Sequence, residues 1–188
     1  MTEQVGGQRR CPWWLGYFLL IPFRRWRQDP KGILSPHVRE GMTVLEPGPG
    51  MGFFTLELAR LVGPSGRVIA VDVQPRMLRA LEKRAEKVGL RNRMDLRLTR
   101  EGGLGVEYVN GNVDFALAFA VVHEVSDVPR FFREIRAALK PGGILLLSEP
   151  VKHVSERQFE ETLALARAAG FTTGEAPEIR LSRSSLLR

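Results

Sequence analysis

The stretch VLEPGPGMGFFT, residues 44–55, limits the folds open to this chain more than any other. Gly48, Gly50 and Gly52 fall between a run that reads as a strand and a segment that reads as a helix. Glycines at such a junction let backbone approach a ligand at a helix start. Pro47 and Pro49 stiffen the loop by fixing φ, and each removes one donor. Alone, the glycine pattern also suits a nicotinamide or flavin site. Glu46, two residues before Gly48, discriminates: a carboxylate there can help hold an ammonium group and repels a dinucleotide pyrophosphate.

The alternation continues along the chain. Strands are expected near 43–47, 67–73, 94–98, 113–120 and 144–149, separated by helix-length segments. A short helical candidate lies around Pro36 to Glu40, and VPRFFREIRAALKPGG reads as a helix stopped by Pro-Gly-Gly. SERQFEETLALARAAG reads as a helix capped by Ser155, and the tail FTTGEAPEIRLSRSSLLR as two antiparallel edge strands. The spacing predicts an α/β fold: a Rossmann-like parallel sheet with helices on both faces, closed by a C-terminal antiparallel hairpin. Ligands of such sheets bind outside the carboxyl ends of the strands. With 188 residues the chain suits one domain, taken as residues 41–188 behind an arm of residues 1–40.

Asp72 ends the second strand in VIAVDVQ, where a carboxylate can accept from two vicinal ribose hydroxyls; an ordinary strand-end acid is the alternative. Val73 and Gln74 would border a purine, and Met77 would pack beneath it. Glu46 through GPGMG, then Asp72, VDFALAFAVVHEV and LKPGGILLLSEP, together resemble the class I S-adenosylmethionine-dependent methyltransferases. The resemblance covers roughly residues 39–188 and lies nearest the small-molecule branch that includes ubiquinone and menaquinone methyltransferases. It implies S-adenosyl-L-methionine as cofactor, with Glu46, Gly48, Pro49, Gly50 and Gly52 around its methionine end, Asp72 on the ribose, and Phe119 to Val121 lining the pocket. It also implies a small acceptor, apolar or quinone-like. The chain departs from the family at the third strand, where members often carry Gly-Asp. Here Asp95 falls inside the strand, leaving backbone near Leu98, Thr99 and Arg100 for the adenine.

Methyl transfer is an in-line displacement, and a general base is needed only where the nucleophile must lose a proton. His123 and Glu124 in VVHEV follow the fourth strand and are the candidates; a brace for the loop is the competing use. Glu149 reads either as a pocket carboxylate or as an acid at a helix entry, and His37 and His153 as peripheral. The three histidines lie too far apart in sequence for a zinc signature, so no metal is expected. No Asn-Pro-Pro-Tyr-like tetrad and no cysteine follow the fourth strand, which disfavours amino-group and covalent cytosine methylation of nucleic acid. An RNA or protein acceptor stays open through surface charge, as does a non-catalytic membrane-surface or partner-binding module on this core.

The formal charge is +7, and 23 of the 28 basic residues are arginine, a residue suited to phosphate and carboxylate. Residues 1–40 hold seven basic side chains against three acidic ones. Within the arm, Trp13 to Phe23 is an apolar run of 11 residues, whereas a membrane-crossing helix needs about 20. A lid over the acceptor site, an interfacial anchor and a dimer contact all remain open. A single cysteine, Cys11, excludes an internal disulfide and fits a cytoplasmic protein, with peripheral membrane contact as an option.

Overall fold

The computed structural model describes residues 28–100, 103–175 and 177–188. Its strands are β1 (Thr43–Pro47), β2 (Arg67–Asp72), β3 (Met94–Leu98), β4 (Val113–Phe119), β5 (Leu139–Pro150), β6 (Thr173–Gly174) and β7 (Ser182–Leu187). They form one sheet in the order β3-β2-β1-β4-β5-β7-β6. β1 to β5 are parallel, and β7 runs antiparallel to both β5 and β6. The chain winds outward from β1 to β3 and then returns to place β4 on the other side of β1. That reversal puts a topological switch point at the carboxyl ends of β1 and β4, the place where sheets of this kind carry their ligand crevice.

The helices are α1 (Pro30–Leu34), α2 (Thr55–Leu61), α3 (Pro75–Lys87), α4 (Val128–Ala138) and α5 (Glu156–Ala168). Strand alternation divides the core between the two faces of the sheet. Along β4, Phe115, Leu117 and Phe119 join Leu34, Leu58, Leu81 and Ala85 of α1, α2 and α3. Ala116 and Ala118 face the other way, under Phe131, Phe132 and Ile135 of α4 and Phe159 and Leu163 of α5. The small alanines make room for the phenylalanines of α4. Burial of each such large apolar side chain contributes roughly 1.5–3 kcal/mol.

The parallel sheet, the helices on both faces and the C-terminal hairpin match the expectation from sequence. Two local expectations fail. The first helix lies at Pro30–Leu34, not Pro36–Glu40. Asp29 starts it by accepting from Lys31 and Gly32 N–H, both at 3.1 Å, Pro30 suits the first position, and Pro36 cannot continue the ladder. Its Ile33 and Leu34, with Val38, are buried in the core. At the other end, α4 stops at Ala138, and Pro-Gly-Gly lies inside β5 instead of ending the helix. Val113 pairs with Leu139 but Phe115 with Ile144, so the extra residues form a bulge where Gly142 takes φ of 80°. Ser155 does cap α5, in a reciprocal capping box with Gln158. The apolar run Trp13 to Phe23 and the arginines behind it lie outside the described residues.

Candidate active site

β1 delivers Glu46 to the crevice, on the same face of the sheet as Asp72 at the end of β2. Glu46 is 3% exposed, and its Oε2 is buried without a hydrogen-bond partner, as is the Thr55 hydroxyl. Burial pushes its pKa up to about 8; the nearby Thr55 hydroxyl opposes the rise, and the Asp72 charge adds to it. The glycine loop then bends toward β2, with Gly48 N–H donating to Val71 O at 2.8 Å and Gly52 N–H to Pro49 O at 3.0 Å. Gly52 has φ of +85°, and a Cβ there would meet Leu81 Cδ1 at 2.4 Å. Gly50, at φ +54°, is different: a Cβ there would meet nothing within 4 Å. The loop is therefore packed at its helix end and open at its middle.

Burial pushes the Asp72 carboxyl up to about 6, against the pull of the Gln74, Gly50 and Val73 backbone N–H groups. Gln74 N–H reaches Asp72 Oδ1 at 2.8 Å. Thr99 N–H donates to Asp72 O at 3.0 Å, just past the end of β3. Val73 and Leu98 stand exposed along this edge, and Met77 is buried in the first turn of α3. Asp95 lies elsewhere: Arg97 holds it at 3.0 and 3.1 Å and the Tyr108 hydroxyl at 3.0 Å. Burial raises its pKa, but these partners together with Arg67 outweigh that and leave it below the usual range.

On the β4 side, Phe119 packs on Phe54 with ring centroids 4.3 Å apart. Ala120 follows in the left-handed region at φ 54°, a conformation that costs a residue with a Cβ roughly 1–2 kcal/mol. This turn leads the chain into a short 3-10 helix, Val122–Glu124. His123 Nδ1 contacts Glu149 Oε2 at the end of β5, and Glu124 Oε1 lies 3.9 Å from Nε2. Burial lowers the His123 pKa, but the hydrogen bond and charge of Glu149, with Glu124, outweigh it and hold the imidazole above its ordinary value. His153, expected at the periphery, stacks on His123 with centroids 5.6 Å apart. His37 instead stacks on Phe115.

The structure thus gathers Glu46, Gly48, Pro49, Gly50, Gly52, Asp72, Val73, Gln74, Leu98, Thr99 and Phe119 along the carboxyl edge of β1 to β4, with His123 and Glu124 beyond. It adds Glu149, read from sequence as either a pocket carboxylate or a helix-entry acid, and His153, read as peripheral; the Glu149 contact with His123 follows from the pairing of β4 with β5. Among the described residues no group of three or more His, Cys, Asp or Glu is placed to hold a metal ion. Among the same residues no helix is long and apolar enough to cross a membrane.

A family model described as a methyltransferase domain matches residues 38–178. The chain belongs to the class I S-adenosylmethionine-dependent methyltransferases. This methyltransferase is 35% identical over 116 residues to a ubiquinone biosynthesis O-methyltransferase of Methylocella silvestris, covering 62% of this chain and 43% of that one. It is 31% identical to a ubiquinone/menaquinone biosynthesis C-methyltransferase of Pasteurella multocida, covering 60% and 41%. A crystal structure of an S-adenosylmethionine-dependent methyltransferase from Aquifex aeolicus superposes with a TM-score of 0.83 at 26% identity, over 95% of this chain and 98% of that one. The methyltransferase spans less than half the length of these two curated relatives.

Proposed function

We propose that this enzyme methylates a small, apolar, quinone-like acceptor, with Glu46 and the glycine loop holding the methionine end of S-adenosylmethionine and Asp72 its ribose. Three features of the chain support that placement. Glu46 Oε2 is a buried acceptor without a partner, suited to an ammonium group. Open space lies over Gly50, where backbone alone would border the ligand. Asp72 is held in place by backbone N–H groups at the edge where Val73 and Leu98 offer apolar surface to a purine, with Gln74, Met77 and Thr99 completing that end. When bound, the cofactor supplies an activated methyl group whose carbon–sulfur bond breaks, its electron pair going to sulfur, as the acceptor's bond to the methyl carbon forms.

The protein's own task is alignment and, for a protic acceptor, removal of a proton. His123 is the base in this reading: its Nδ1 is taken by Glu149, and its side chain keeps 23% exposure. Glu124, 3.9 Å from Nε2, steadies the charge that forms. The observation that carries the acceptor side is this histidine–carboxylate pair at the ends of β4 and β5, beside Val151 and Leu181, two exposed apolar side chains whose backbones join at 3.0 Å. The names of the two curated relatives favour the quinone class. The part of the arm ahead of residue 28 serves as a lid in the same reading, Ile33, Leu34 and Val38 being core. The described end of the arm reaches this rim, where the Gln28 side chain donates to Ser182 Oγ at 3.4 Å, and an acceptor dissolved in a membrane would bring the arm's arginines to the lipid surface. Incubation with methyl-labelled cofactor and fractionated cell extract tests the proposal. Label in the lipid-soluble fraction is the expected result, and label in RNA or protein would overturn it.

A further inference from the structure

The end of β5 carries a carboxylate whose partners define the state of another group. Glu149 is 1% exposed, where an unpaired charge would cost several kcal/mol. It is fully engaged: Oε1 accepts from Val121 N–H at 3.2 Å and Val122 N–H at 2.8 Å, and Oε2 meets His123 Nδ1. Arg183, its neighbour across the β5–β7 pair, directs its guanidinium to Val154 O at 2.8 Å instead. An ionised carboxylate only accepts, so Nδ1 carries the proton and, whenever the ring is neutral, Nε2 keeps the lone pair. His153 covers one face of the ring, and Glu124 is the other charged group beside it, 3.9 Å from Nε2.

We propose that Glu149 is a positioning residue, fixing His123 as the Nδ1–H tautomer with its Nε2 lone pair at the acceptor, so that the enzyme is built for acceptors that lose a proton on methylation. This rests on reading His123 as the base. It narrows the acceptor to a hydroxyl, a thiol or an acidic carbon, each of which must shed a proton, since a group already in its nucleophilic form needs no such tautomer. The acceptor's proton passes to Nε2, the imidazolium is held by Glu149, and the proton leaves through the partly exposed edge of the ring. A carboxylate serving only as a loop brace would need the two backbone N–H groups and nothing more. The same carboxylate here binds the ring nitrogen as well, so loop position and tautomer are set together.

Nitrogen-15 NMR of the histidine rings in the full chain, followed through a pH titration, tests the assignment without knowledge of the acceptor. At a pH above its own pKa, wild-type His123 should be the neutral Nδ1–H tautomer. Glu149→Gln can turn its amide N–H toward the ring, so the tautomer should switch to Nε2–H and the pKa should fall by about one pH unit or more. Glu124→Gln should leave the tautomer as it is. An Nε2–H tautomer in the wild type, or an unchanged tautomer and titration in Glu149→Gln, overturns the proposal; the wild-type result decides alone if Glu149→Gln does not fold. Turnover, measured as S-adenosylhomocysteine formed with a cell lipid extract as acceptor, should fall on the order of 100-fold in both His123→Ala and Glu149→Gln with cofactor affinity kept. Unchanged turnover in His123→Ala would remove the base reading and the acceptor class with it, while the tautomer result would stand on its own.

Discussion

Glu46 is a carboxyl in a buried place with one oxygen that accepts no hydrogen bond among the described residues, and its pKa near 8 makes two pH effects predictable. Its folded value lies above its unfolded one, so the folded state binds the extra proton and the stabilisation present at low pH is lost as pH rises through about 8. Asp72, raised to about 6, acts in the same sense lower down. Urea unfolding of the protein alone should therefore show stability falling between about pH 5 and pH 8, with a clearly smaller fall in Glu46→Gln. An ammonium group bound at Glu46 would favour the ionised form and expel that proton. Cofactor affinity should then rise from about pH 6 to pH 8 in the wild type and not in Glu46→Gln, a difference calorimetry can read. Both acids were legible in the sequence because each ends a strand next to a glycine loop or helix start. The Glu149–His123 contact was not, since 26 residues separate the two and only the pairing of β4 with β5 joins them.

At the scale of elements, the glycine loop is packed at Gly52 and open at Gly50. Gly52→Ala puts a Cβ into Leu81 at positive φ and should cost about 2–4 kcal/mol in urea unfolding. Gly50→Ala faces open space and should cost about 1 kcal/mol while sharply weakening cofactor binding. Equal losses of stability in the two variants, with binding intact in Gly50→Ala, would mean the loop is only a packing device. Ser155→Ala removes a capping box on the acceptor side and should cost about 1 kcal/mol with no change in cofactor affinity. Period and capping signals fixed α3 and α5 from sequence. They failed at Pro-Gly-Gly because a helix stop and a strand bulge use the same residues, and only the β4 partner distinguishes them.

Across the whole molecule, the sheet's alternation assigns α1, α2 and α3 to one face and α4 and α5 to the other, and the switch between β1 and β4 sets where a ligand lies. That much follows from a sequence of strands and helices with apolar residues at the right period. The acceptor does not, because in the proposed reading it depends on side chains that the pairing of β4 with β5 brings together. The central claim is that the crevice between Glu46 and Asp72 is where S-adenosylmethionine binds. Calorimetric titration of the cofactor into the wild type and Asp72→Ala, with unfolding curves taken on both, tests it most directly. The account predicts one site in the wild type and at least about tenfold weaker binding in a fully folded Asp72→Ala, as loss of a charged hydrogen-bond acceptor implies. No binding by folded wild type, or wild-type affinity in Asp72→Ala, would contradict it.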